Sequence, residues 1–156
     1  MTSADTMPIP PPPGEWDRWK DWADAIPAVS SMALECTEVS QGHAAMRMAA
    51  SPWPPNPNGA VHGGLVAAAA DHVGGLAAVT QVSLTGLPAT AALSGQYIRP
   101  AFAPLTFDAR VVNAGRTVVF VHIEVTNHDG QLCSFFTGSW STSGSGRIDA
   151  GARVEP

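Results

Sequence analysis

Residues 63 to 80, GGLVAAAADHVGGLAAVT, constrain the fold more than any other part of this chain. Apart from Asp71 and His72, every residue in the run is uncharged and is small, apolar or a good helix former. Alanine and leucine favour helix over strand, and glycine is the sole strand breaker present. A helix with no polar face has nothing to offer solvent and belongs inside the fold. The remaining elements must therefore wrap around it.

On both sides of this helix the pattern is that of strands. SMALECTEV (31–39) and HAAMRMAA (43–50) are joined at Gln41-Gly42, and the Pro- and Asn-rich loop SPWPPNPNG (51–59) ends the second. After the helix, apolar residues recur at every second position in ATAALSGQYI, LTFDARVV, RTVVFVHIEVTN and QLCSFFTGSWS. Turn residues separate them at Arg99-Pro100, Asn113-Ala114-Gly115 and Asn127-His128-Asp129-Gly130. These predict four consecutive antiparallel strands, hence an α+β fold in which an antiparallel sheet curls around one central helix.

A chain of 156 residues, 45% hydrophobic, fits one domain. The expected domain covers 15–142. The Pro-rich lead-in 1–14, containing MPIPPPP, is expected to be extended or disordered, and the Gly/Ser-rich tail 143–156 flexible. EWDRWKDWADAI (15–26) predicts an extra N-terminal helix with Trp16, Trp19, Ala23 and Ile26 on one stripe. A net charge of −5 without any Lys/Arg run argues against a nucleic-acid partner. The longest apolar run, 65–70, is too short to cross a bilayer, and the N-terminus lacks a charged-then-apolar leader, so no membrane partner and a cytoplasmic location are expected. Cys36 and Cys133 lack metal-ligand spacing and are read as buried thiols, so no metal site is expected.

An aspartate on an apolar helix loses hydration, at a cost of roughly several kcal/mol unless it is hydrogen-bonded or paired. Asp71 could cap a backbone group or pair with an arginine, or it could do chemistry. Gly63 and Gly64 open the helix, where the first N–H groups have no intrahelical acceptor and can donate to an oxyanion. The plainer alternative is that they permit a sharp entry into the helix. Eight residues at about 1.5 Å rise put Gly63 and Asp71 roughly 12 Å apart, too far to share one reacting carbon within a subunit. If both act on it, the site lies at a two-fold interface between chains.

The run Asn56, Gly59, His62-Gly63-Gly64 and Asp71, nine positions after the histidine, resembles the hotdog-fold acyl-CoA thioesterases of the phenylacetate-degradation (PaaI) and 4-hydroxybenzoyl-CoA type. TAALSGQYIRPA and NAGRTVVFVHIEVTNHDGQL extend the resemblance over roughly residues 30–142. It implies a homo-oligomeric hydrolase, a dimer or a dimer of dimers, acting on an acyl-CoA, and the four alanines before Asp71 leave room for an aryl or medium-chain acyl group. Coenzyme A is then part of the substrate, and no further cofactor is implied. Gly63 N–H would stabilise the oxyanion, and Asp71 of the other subunit would serve as general base or nucleophile. Thr90 would orient the water or the carboxylate. Asn56 would hold the loop or the carbonyl, and His62 would fix the loop beside the sulfur.

Gly64, Arg99 and Arg116 are candidates for substrate and CoA contacts, with Arg110 a further cation in the strands. His72, a bulky group beside Asp71, is expected to point away, because neighbours on a helix diverge by about 100°. The Trp-bearing helix is read as docked on the core, with a lid over the acyl pocket as the sharper alternative. Two rival functions share the fold: an acyl-CoA-binding module without turnover, and an enoyl-thioester hydratase or dehydratase.

Overall fold

The computed structural model describes residues 9–82 and 87–142; the 143–156 tail and residues 1–8 of the lead-in lie outside the described residues. Among the described residues three helices, α1 (Trp16–Asp24), α2 (Pro27–Ser31) and α3 (Gly63–Val79), accompany six strands. These are β1 (Leu34–Ser40), β2 (His43–Met48), β3 (Ala89–Tyr97), β4 (Leu105–Ala114), β5 (Val118–Thr126) and β6 (Leu132–Ser141). They form one antiparallel sheet in the order β1-β2-β4-β5-β6-β3. α3 contacts all six strands. Six strands at about 4.8 Å spacing are far wider than a helix of about 10 Å, so the sheet must curve around α3.

The core fills the space between α3 and the sheet. Leu65, Val66, Ala69 and Val73 meet Phe107, Ile123, Val125 and Trp140, all essentially inaccessible. β4 and β5 alternate buried and open positions as the period-two pattern requires.

Two expectations need correction. β4, β5 and β6 form the expected meander, but β3 pairs with β6 instead of β4. The segment after β3 is a crossing connection, IRPAFAP, whose Ile98 and Arg99 N–H groups donate to the Cys133 carbonyl. Two prolines in seven residues remove the donors a tight hairpin would use, and the Arg99-Pro100 turn signal does not mark a hairpin. β3 is therefore an edge strand, open or half-open along its whole length.

The helix read over 15–26 stops at Asp24, with α2 beginning at Pro27. Proline disfavours helical geometry in the residue before it, and Ile26 is extended (φ −70°, ψ 122°). The inner face of α1 is Trp19, Trp22 and Ala23, with Trp16 at its margin.

Residues 9–14 carry neither helix nor strand, as expected of a Pro-rich lead-in, yet pack on the domain. Pro10 and Pro11 are buried, and Trp19 Nε1 donates to the Pro12 carbonyl at 3.1 Å. Apolar proline rings found a surface to cover beside the tryptophans. Both cysteines are buried and unpaired, and burial pushes the Cys36 thiol up to about 12.

Candidate active site

The site's first half is the loop entering α3. The Asn56 side-chain oxygen accepts the N–H groups of Asn58 (3.0 Å) and Ala60 (3.1 Å), while Asn56 N–H and C=O pair with Ala60 and Gly59. Gly59 takes the positive φ (76°) that this tight turn demands. Of the two roles implied for Asn56, loop support is the one seen in the geometry.

His62 is the N-cap of α3, and its Nδ1 accepts Gly64 N–H at 3.0 Å. That bond puts the ring proton on Nε2 and leaves Gly63 as the glycine whose N–H, at the first helical position, lacks an acceptor among the described residues. Gly64 is thus committed to the cap. Trp53 stacks obliquely on His62, with ring centroids 5.8 Å apart.

Tyr97, at the end of β3, donates its hydroxyl to the Gly63 carbonyl at 2.6 Å. A Cβ on Gly63 would meet the same ring at 3.4 Å. Burial raises the Tyr97 phenol above its ordinary value and keeps it a donor. Sequence reasoning missed this residue. It is the chain's one tyrosine, yet nothing in a period-two strand says which helix end it will reach.

The second half lies further along α3. Asp71 is half-buried, and Thr90 Oγ1 donates to its Oδ1 at 2.8 Å. The β3–β6 register slips between Thr90 and Ala92, and such a bulge re-aims the side chain beside it.

α3 is not covered on every side, contrary to the expectation of a wholly buried helix. Gly64 and Ala68 are exposed, and Ala67, Asp71, His72 and Gly75 are intermediate. They form one stripe because steps of three and four residues return to the same helix face.

His72 does not diverge from Asp71 as expected. Both border one cavity of about 280 Å³, together with Thr90, Trp22, Ile26 and Trp140. A rotation of 100° separates the two side chains, but the cavity is wide enough to meet both. Among the described residues His72 Nε2 is buried without a hydrogen-bond partner, and burial lowers its pKa, with the Asp71 charge opposing.

The candidate cations divide between the two ends. Exposed Arg99 follows Tyr97 and donates to the Leu132 carbonyl. Exposed Arg116 lies in the β4–β5 turn, where its carbonyl accepts from Thr142, and the neighbouring Val118–Ser141–Ala89 register puts this turn at the Thr90 end of the sheet. Arg110 pairs with Asp108 at 3.0 Å, which commits it locally. Among the described residues no cluster of three His, Cys, Asp or Glu could hold a metal ion, and no helix is long and apolar enough to cross a membrane.

Residues 58–134 match the thioesterase superfamily. A Saccharolobus solfataricus protein provisionally named an esterase is 37% identical over 83 residues, which are 53% of this chain and 59% of that protein. The chain thus spans about three-fifths of the length of this curated relative. A phenylacetic acid degradation-related protein of Ralstonia eutropha, provisionally called a thioesterase, has a solved structure of TM-score 0.68 at 27% identity, over 74% of this chain and 90% of that one. A Streptococcus mutans protein solved with acetyl-CoA gives 0.63 at 24% identity, over 69% and 86%.

Proposed function

Because the chain carries the hotdog fold and matches PaaI-like thioesterases, we propose that it hydrolyses acyl-CoA thioesters, with an aryl- or medium-chain acyl group as substrate. One observation carries this reading. A hydroxyl-oriented carboxylate, Asp71 with Thr90, and an unclaimed helix-terminal N–H, Gly63, lie on the same helix at a separation of roughly 12 Å. Two copies related by a two-fold axis would bring the carboxylate of one against the N–H of the other. The open β3 edge and the uncovered stripe of small residues on α3 support such an association.

In that site Gly63 N–H, reinforced by the helix dipole, receives the thioester oxygen as it gains charge. Asp71 removes a proton from water as the water adds to the carbonyl carbon, or adds to that carbon itself to give a mixed anhydride that water then cleaves, restoring the carboxylate and supplying the proton for the departing sulfur. The C–S bond then breaks, the sulfur leaves as thiolate and takes the proton, and the products are RCOOH and CoA-SH. The balance closes with water alone. Acetyl-CoA in the Streptococcus mutans neighbour supports a CoA thioester as ligand. Arg99 and Arg116, exposed at opposite ends of the sheet, are suited to the CoA phosphates.

The test is free-thiol release from a panel of acyl-CoAs by the wild-type protein and Asp71→Asn. The reading requires turnover by the first and its loss in the second. Turnover that survives Asp71→Asn would sink it, and tight binding without turnover by wild type would turn it into an acyl-CoA-binding module.

A further inference from the structure

We propose that α1 and the residues that link it to α2, which lie outside the segment matching the thioesterase superfamily, set the size of the acyl group through Trp22 and Ile26. This rests on the thioesterase reading only for the identity of the ligand. Trp22 and Ile26 line the same cavity as Asp71 and Thr90, so an acyl group whose thioester reached Asp71 would pack against them.

Their placement is that of a fixed wall instead of a moving lid. Trp22 is 8% exposed, and its ring meets Trp19 edge-on at 5.6 Å. Trp19 is 1% exposed and tied by Nε1 to the Pro12 carbonyl at 3.1 Å. At the end of α1, Asp24 Oδ1 accepts Cys36 N–H at 2.7 Å, which joins the helix to β1. Ile26 follows in extended geometry, held out of the helix by Pro27, and packs against the core from the margin.

The volume gives the size class. A dry cavity of about 150 Å³ takes a benzene ring. The roughly 280 Å³ here, open to solvent on one side, leaves room for a ring with a short spacer or a chain of similar bulk. Trp22 is the larger obstacle and Ile26 the smaller.

The experiment compares wild type, Trp22→Ala, Trp22→Phe and Ile26→Ala on acetyl-, hexanoyl-, phenylacetyl- and palmitoyl-CoA. Thiol release is measured, and so is binding of the corresponding non-hydrolysable thioethers to the Asp71→Asn protein. Wild type should favour hexanoyl and phenylacetyl over palmitoyl. Trp22→Ala should raise the palmitoyl-to-hexanoyl ratio of kcat/KM by about tenfold or more, because each methylene admitted to a pocket changes discrimination by about that factor. Ile26→Ala and Trp22→Phe should give smaller shifts in the same direction.

A uniform change across all four acyl groups, or none, would overturn the proposal. Wild type without thiol release on any of them would refute hydrolysis, and the thioether series would still decide the wall by the same ratio. Should Trp22→Ala fail to fold, the shifts in Ile26→Ala and Trp22→Phe decide between a wall and no wall.

Discussion

Thr90 Oγ1 donates to Asp71 Oδ1 at 2.8 Å, joining the edge strand β3 to the open face of α3. No described hydrogen bond reaches the second carboxylate oxygen, which is the one left for water. The carboxylate is thereby tied to a strand that ends the sheet among the described residues.

Removing that hydroxyl should cost rate more than affinity. Thr90→Val keeps the shape and deletes the donor, and the loss of one hydrogen bond to a charged group predicts a fall in kcat of about tenfold or somewhat more. Thr90→Ser should stay within a few-fold of wild type, and Asp71→Asn should fall by about 10²–10⁴, the range of general-base catalysis. Steady-state kinetics on one acyl-CoA decides it. A Thr90→Val enzyme with unchanged kcat and raised KM would assign Thr90 to substrate contact instead.

Sharing between chains predicts rescue by mixing. Gly63→Pro deletes the candidate oxyanion donor at the first helical position, where proline is accepted, and His62 already holds the extended geometry (φ −59°, ψ 128°) a following proline requires. Neither Gly63→Pro nor Asp71→Asn should be active alone. Refolded together at equal amounts, half the dimers are mixed and each has one intact site, so about a quarter of wild-type activity should return. No recovery in verified mixed dimers would place both groups in one chain's site.

How much of this was legible in the sequence depends on the range of the interaction concerned. α3 was readable almost to the residue, since its opening glycines and its run of alanines are local signals, whereas the His62 cap emerged only in the structure. The strand segments were also readable, because period two is local. The neighbour of β3 was not: pairing with β6 joins Tyr97 to Ser134, and no local pattern encodes a contact across that separation. Gly63, Gly64 and Asp71 stood out from the chemistry of an apolar helix, while Asn56 and His62 were singled out by the resemblance alone. Tyr97, Trp22 and the inward turn of His72 were missed, because each depends on which open space the fold leaves beside it.

The packing of α3 predicts opposite outcomes for two adjacent glycines. A Cβ on Gly74 would lie 2.4 Å from Trp140 Cη2 and 3.2 Å from Ile123 Cδ1, whereas one on Gly75 meets nothing nearer than Trp140 Nε1 at 3.3 Å. Both alanine variants gain about 0.8–1.0 kcal/mol of helix propensity. Gly74→Ala must also move a buried indole, so it should be destabilised by about 1–3 kcal/mol net, with Gly75→Ala near neutral. Thermal melts suffice, since at this size each kcal/mol moves Tm by about 2–4 °C. Equal Tm values for the two variants would mean that Trp140 yields freely.

His72 predicts a pH dependence of stability whose sign follows from its burial. Desolvation lowers its pKa below the ordinary 6.5, and the Asp71 charge offsets only part of this. Above the ordinary value the imidazole is neutral both folded and unfolded, and it contributes no slope. Between the ordinary and the lowered value the unfolded chain binds the proton and the folded one does not, so stability falls as pH falls through that window. Tm followed from pH 7 down to about pH 5 should therefore drop more in wild type than in His72→Gln, which cannot take a proton there. Identical profiles would mean that the ring reaches solvent, or a proton-accepting partner, in the folded protein, which would contradict its position in the cavity wall beside Asp71.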